Sequence, residues 1–309
     1  MPIISPSIDQ GAKLAFEQTF FKLVQQTRSK LAASPAIRYV PSNSKVHNMT
    51  RLNKLELEEV STRNPLKTMS DYELDNRMFR KRRFTKTVLI DAKHDINELL
   101  KDPTSDLMQQ LVAAKNRVFD RVVAAAAVGD VLTGPADATM AASTTSAAAD
   151  GVRTIDATGG MNYETITQLT QTFINNAFDI EQIQGTQILA TGEENSALMN
   201  EEKFINNDYI GARPVERSVM DKAGLYDVVL FAGSETGGIE VSRPVLPEAG
   251  STRTCMALAP DSIAVAVELG DFKVIQNPAY VNSYDLTIDL WINAMRTEGE
   301  RVVAINTTF

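Results

Sequence analysis

The chain has 309 residues, 43% hydrophobic and 23% charged, with a formal net charge of −8. That length holds one large domain or two ordinary ones, and the composition excludes a disordered chain. The acidic balance excludes a general nucleic-acid binder, whose field must attract phosphate instead of repelling it outside local patches.

A single cysteine, Cys255, rules out an intrachain disulfide and a cysteine zinc site. Its setting, Cys255-Met256-Ala257-Leu258, marks a buried structural thiol. The first twenty residues carry Asp9 and Glu17 and show no secretory apolar region, and no apolar run approaches the roughly 20 residues of a membrane span. The expectation is a soluble protein made in the cytoplasm, with no membrane partner.

In chain order, Asp9 to Leu31 reads as an amphipathic helix, with Phe16, Phe20, Leu23, Val24 and Leu31 on one face. Such a narrow stripe docks either on its own domain or on a neighbouring subunit. Pro35, Pro41 and the polar residues to Lys45 predict a turn or linker. Lys54-Leu55-Glu56-Leu57-Glu58 alternates at period two and predicts a strand, paired with a second extended piece from Arg82 to Ile90. A ribbon of that kind has little core of its own and needs support from other elements or chains.

The best-defined element is a long helix. Asp102 is placed to cap it, Pro103 suits its first position and Gly129 ends it. Leu107, Leu111, Ala114, Val118 and Val122 form its apolar stripe, while Lys115, Arg117, Asp120 and Arg121 are expected to stay polar. Gly134 to Ala149, rich in Ala, Ser and Thr, reads as a flexible surface loop. A second helix is expected from Tyr163 to Phe178, with Ile166, Leu169, Phe173, Ile174 and Ala177 inward. Ile188–Thr191 reads as a buried strand, Glu193 to Met199 as a helix, and Asp227–Phe231 and Ile263–Val267 as strands. Asp285 to Ile292 alternates strictly, and after Gly299 a last strand runs from Val302 to Ile305. The order of elements is α+β, without a regular βαβ rhythm.

No phosphate loop, dinucleotide fingerprint or nucleophile elbow is present, and the pairs Gly159-Gly160 and Gly237-Gly238 read as turns. His47 and His94 lack ligand-spaced or triad partners, so no catalytic residue, metal ligand or cofactor site is assigned. Glu193-Glu194 and Glu201-Glu202 are adjacent on a helix and point apart, which suits capping and solubility better than acid–base work. What stands out is a basic run, Arg77, Arg80, Lys81, Arg82, Arg83 and Lys86. It admits three readings: phosphate contact, a solvated face, or pairing with acidic residues such as Glu56, Glu58 and Glu59 of another copy, where complementarity sets register more than affinity.

Several segments in a fixed order carry a resemblance. They are Phe21-Lys22-Leu23-Val24-Gln25-Gln26 with Ser29-Lys30-Leu31, Arg80 to Asp91 entering Leu99-Leu100-Lys101-Asp102-Pro103, and Ala113-Ala114-Lys115-Asn116-Arg117-Val118-Phe119-Asp120 leading to Ala125-Ala126-Ala127-Val128-Gly129. Gly299-Glu300-Arg301-Val302-Val303-Ala304-Ile305 completes the order. Across most of its length the chain resembles the major capsid proteins of tailed double-stranded DNA bacteriophages.

The resemblance implies a Hong Kong 97-type capsid fold. Its parts would be an N-terminal arm (1–45), an extended loop (46–90), a peripheral domain with a long spine helix (91–160), an axial domain (161–270) and C-terminal strands returning to the peripheral domain (271–309). It implies a structural, non-enzymatic protein that self-assembles into hexamers and pentamers, forming the icosahedral head shell around packaged DNA. Its expected place is the virion capsid, after synthesis in the host cytoplasm. Other copies of itself would be the main partners, with the portal, scaffolding or decoration proteins, and weak non-specific contact with DNA. Interface residues would be Arg77, Arg80, Lys81, Arg82 and Arg83 of the loop and Phe16, Phe20 and Leu23 of the arm. The alternatives are an encapsulin-like nanocompartment shell and an enzyme with an unrecognised site.

Overall fold

The computed structural model describes residues 26–41, 44–52, 57, 59, 74–91, 104–134, 144–145, 152–176, 180–201, 220–231, 245–269, 273–276 and 283–308. In chain order these form strands β1 (Ile37–Tyr39), β2 (Val46–Leu52), β3 (Leu74–Arg80) and β4 (Arg82–Asp91), then helix α1 (Thr104–Val128). Strands β5 (Leu132–Gly134), β6 (Thr144–Thr145) and β7 (Arg153–Ala157) precede helices α2 (Tyr163–Asn175) and α3 (Ile180–Ile183). Strand β8 (Gln187–Thr191) and helix α4 (Gly192–Met199) lead into β9 (Lys222–Ala223), β10 (Tyr226–Phe231), β11 (Glu248–Ala249) and β12 (Thr252–Leu258). The chain closes with β13 (Ile263–Leu269), β14 (Lys273–Gln276), β15 (Ser283–Arg296) and β16 (Val302–Thr308).

Two compact units result. The smaller draws on residues up to Arg28, Arg83–Arg117 and Leu269–Leu290; the larger on Ser29–Arg82, Val118–Glu268 and Trp291–Phe309.

The larger unit is organised by a mixed sheet in the order β7-β16-β12-β8-β10-β9, with β11 on β12. β8 lies parallel to β10, and β12 is antiparallel to both β8 and β16. The apolar run Ile188-Leu189-Ala190 is wholly buried, as expected for an inner strand covered on both faces. Helix α2 starts where Asn162 Oδ1 accepts from the Thr165 backbone N–H at 2.9 Å. Gly159 and Gly160, both at positive φ, make the turn before it at a conformation other residues resist. Phe173 of α2 meets Tyr226 of β10 with ring centroids 6.3 Å apart. A second, four-stranded sheet, β2-β3-β5-β6, packs through Phe79 into a cluster with Val131, Ala264, Ala266 and Met295.

In the smaller unit, Leu286 and Ile288 of β15 point one way and bury against Ile90 of β4 and Leu111 of α1. The strict alternation read from Asp285 to Ile292 is therefore real: Leu286, Ile288, Leu290 and Ile292 are all buried. β14 pairs antiparallel with this part of β15.

Several expectations are corrected. Residues 9–25 lie outside the described residues, but Gln26 to Leu31 are not helical. The backbone N–H groups of Lys30 and Leu31, which a helix would commit to carbonyls four residues back, go instead to the Asp120 carboxylate. The supposed linker contains β1, which runs parallel to β13 and buries Ala36 and Ile37. Apart from Leu57, the segment Lys54–Glu58 lies outside the described residues; Leu57 is not in a strand and is fully exposed. The ribbon instead pairs β2 with β3, from Val46 opposite Arg80 to Leu52 opposite Leu74, while β4 joins β15.

Within the predicted loop, Thr144–Thr145 is strand paired with Leu132–Thr133, and the other residues from 135 to 149 are outside the described set. Ile174, expected inward, is 48% exposed, because the buried face of α2 is set by Thr165, Ile166, Leu169 and Phe173. Asp120, expected on the polar side of α1, is fully buried.

Candidate functional site

The basic run spans the joint between β3 and β4, and the structure divides it in two. β3 puts Asn76 to Phe79 in the interior, so Arg77 is fully buried and donates from Nη1 to the Arg296 carbonyl at 3.1 Å. Arg296, also buried, in turn donates to the carbonyls of Ala127 and Gly129 at 2.9 and 3.0 Å. Those carbonyls close α1, where the helix dipole favours a cation. Lys81 is buried as well, its ammonium joined to the Glu268 carboxylate and its backbone N–H to the Lys45 carbonyl. Of the basic run, Arg77 and Lys81 are thus held inside the subunit.

Arg80, Arg82 and Arg83 are exposed. Asn293 fastens the joint: its Nδ2 donates to the Arg80 carbonyl at 2.7 Å and its Oδ1 accepts from Arg82 Nη2 at 3.3 Å. Arg83 grips Asp289 with two nitrogens, at 3.3 and 2.9 Å. Hydrogen bonds from Arg83 and then Thr85 hold the Asp289 carboxyl below the usual range. Among the described residues, neither Arg80 nor Arg82 meets a carboxylate. Phe16, Phe20 and Leu23 lie outside the described residues, as does His94.

Two further charged centres lie elsewhere, and the second corrects the expectation that Glu193 and Glu194 point apart: both reach the same nitrogen of Arg253. At the first, Asp120 accepts from Ser29 Oγ at 2.5 Å and from the Lys30 N–H at 3.1 Å, fixing residues 29 and 30 beside α1. Asp120, Ala124 and Ala127 share one fully buried helical stripe, so the signal was an acid at an inward position of the 3.6-residue period. At the second, Arg253 is 2% exposed and donates to Glu248 at 2.7 Å, Glu193 at 2.8 Å and Glu194 at 3.3 Å. Burial opposes the charge of Arg253, but hydrogen bonds to Glu248 and Glu193 and the charge of Glu194 outweigh it and hold the guanidinium firmly protonated.

Glu194 completes a capping box with Thr191 and also accepts from Thr307 Oγ1 at 2.8 Å. Burial pushes its pKa up, yet hydrogen bonds from Thr191 and Thr307 leave the net shift downward. Cys255 sits fully buried beside this cluster; burial, then the Glu194 charge, raises its thiol pKa far out of the reactive range.

These charges clasp elements together and present no nucleophile paired with a base. Among the described residues, no three His, Cys, Asp or Glu converge as metal ligands would, and no helix is long and apolar enough to cross a membrane. A family model described as phage capsid protein matches residues 8–308. The chain belongs to the phage capsid protein family.

Solved phage structures share this capsid protein's fold. The head of Helicobacter pylori bacteriophage KHP40 matches with a TM-score of 0.70 at 9% identity, covering 99% of this chain and 98% of that one. The mature capsid of bacteriophage PhiM1 matches at 0.66 and 13%, covering 95% and 91%, and Gordonia phage Cozz at 0.61 and 13%, covering 96% and 91%. No curated protein matches the sequence. At these identities the structural likeness speaks for the fold, and it is the Hong Kong 97-type capsid fold that the resemblance implied. Membership of the family makes this a structural protein of the phage head and not an enzyme, and favours neither the nanocompartment nor the enzyme alternative.

Proposed function

We propose that this capsid protein self-assembles into hexameric and pentameric capsomers that close an icosahedral shell around packaged double-stranded DNA. The observation that carries the interface is the partition of the basic run. Arg77 and Lys81 are held internally, while Arg80, Arg82 and Arg83 stand exposed at the β3–β4 joint of a chain with net charge −8. An acidic chain that displays arginines in one place can recognise another copy of itself by charge, and such complementarity sets register. The partner surface in this reading is an acidic stretch of a neighbouring copy, such as Glu56, Glu58 and Glu59. Repeated over many copies, contacts that are weak singly give a stiff shell.

In this reading residues 1–45 form the N-terminal arm, with the Phe16, Phe20 and Leu23 stripe lying on a neighbour, and 46–90 the extended loop. Residues 91–160 form the peripheral domain, 161–270 the axial domain and 271–309 the returning strands. Synthesis is in the host cytoplasm, and the portal, scaffolding or decoration proteins and weak DNA contact complete the partners. The test is a triple charge reversal, Arg80→Glu, Arg82→Glu and Arg83→Glu, in the full chain. Folded subunits that fail to form particles by electron microscopy are the expected result; normal particles overturn the interface assignment.

A further inference from the structure

We propose that His47 is an acid-sensitive joint: protonating its imidazole loosens the β2–β3 hairpin from the core beneath it. His47 lies on β2 directly opposite Phe79 of β3, with the two rings stacked at a centroid distance of 5.2 Å and an interplanar angle of 27°. Phe79 is the hairpin's anchor in the cluster with Val131, Ala264, Ala266 and Met295. The pair therefore forms the seam between hairpin and core.

The seam accepts a neutral imidazole and not a charged one. His47 is 7% exposed, and its Nε2 is buried with no hydrogen-bond partner among the described residues. A proton there becomes a buried cationic N–H without an acceptor, which costs far more than a satisfied one. Among the described residues, the charged groups around the ring add to the cost or are already engaged. Lys81, at the end of β3, is a buried cation that repels the charged form. Arg38 of β1 lines the same cavity, and Lys45 and Arg80 flank the hairpin end as exposed cations. Lys81 is itself paired with the Glu268 carboxylate of β13. Tyr39 stays neutral, its pKa raised by burial and then by Asp120. A hydrogen bond to the backbone of Ser44 favours the charged form, against both larger effects.

Burial first, and Lys81 second, thus hold the imidazole below its ordinary pKa. The opened hairpin, with an ordinary imidazole near pH ~6.5, takes up the proton before the closed one does. Closure is fully favoured above that pH and weakens as pH falls through it, by at most about tenfold per pH unit for one proton. A cavity of about 210 Å³ beside the ring, lined by Arg38, Tyr39, Val40, Met49 and Phe79 among others, leaves room for the hairpin to shift. The consequence for assembly, a shell that loses its loop contacts in acid, rests on the interface reading above.

Hydrogen–deuterium exchange on the full-length subunit from pH 8 to pH 5, corrected for the intrinsic pH dependence of exchange, tests the joint. Amides of β2 and β3 are expected to open progressively below about pH 6.5, while those of β8 and β12 stay protected; in His47→Phe the acid response of the hairpin disappears. If His47→Phe does not fold, the wild-type imidazole signals suffice, because the chain has only 2 histidines. A His47 midpoint below that of free histidine, coincident with hairpin opening, supports the joint. An ordinary midpoint, or an unchanged hairpin in acid, overturns it. Particle formation at pH 8 is scored separately, so failure to assemble counts against the interface reading alone.

Discussion

Asp120 accepts the hydroxyl of Ser29 at 2.5 Å across 91 positions of sequence, in a place where neither residue reaches water freely. The same carboxylate takes the backbone N–H groups of Lys30 and Leu31. One acid on the long helix thereby fixes the backbone of residues 29–31 beside it.

Replacing that acid removes three acceptor contacts at once. Asp120→Ala is expected to cost about 2–4 kcal/mol of stability, because hydrogen bonds to a buried charge are worth more than neutral ones and their donors are left unsatisfied. Asp120→Asn, which keeps one carbonyl acceptor, is expected to cost less. Urea denaturation of the unassembled subunit reads both, and equal losses would refute the charge argument.

Arg253→Met strands Glu194 as a buried carboxylate without its cation. Breaking a buried pair from one side typically costs about 3–5 kcal/mol, whereas replacing both partners is milder. The double variant Arg253→Met with Glu194→Gln is therefore expected to be more stable than Arg253→Met alone, as thermal melts of the two will show.

The same centre sets an acid limit. With the folded-state pKa of Glu194 below its ordinary value, the contribution is complete above the ordinary carboxylate range and is lost as pH falls through the folded-state pKa. Glu194→Gln is expected to flatten the stability profile below about pH 4.5; an unchanged slope in acid titration would dismiss the assignment.

Gly129 closes helix α1, with its N–H on the Ala125 carbonyl at 2.9 Å. A Cβ there would stand 2.8 Å from that same carbonyl oxygen, closer than van der Waals contact permits. Gly129→Ala is expected to lose about 1–2 kcal/mol despite alanine's better helix propensity. A stabilised variant in differential scanning calorimetry would contradict the clash.

The basic run separates folding from surface charge. Arg77→Met removes a fully buried donor to the Arg296 carbonyl and is expected to unfold the subunit or leave it badly destabilised. Arg80→Ala, Arg82→Ala and Arg83→Ala are expected to leave the circular dichroism melt close to wild type, since exposed pairs contribute little. A melt that falls as far for Arg82→Ala as for Arg77→Met would erase the distinction.

Local pattern alone determined much of this protein. The long helix ending at Gly129, the N-terminal start of the helix at Tyr163, the buried strand at Ile188 and the alternation from Leu286 to Ile292 follow from periodicity and end signals, which depend on residues a few positions apart. The order of those elements was enough to carry the resemblance to phage capsids. What the tertiary structure decided are the partners. Val46–Leu52 pairs with Leu74–Arg80, and Arg82–Asp91 joins the strand Ser283–Arg296, because register is settled by which faces bury together. Charge is the sharpest case. In sequence Arg77 and Arg80 are equivalent basic residues, and Asp120 reads as a polar-face residue of the long helix. Whether a charge is buried depends on donors and acceptors that lie far away along the chain, such as Ser29 for Asp120 and Glu194 for Arg253, and only folding brings those within 3.5 Å.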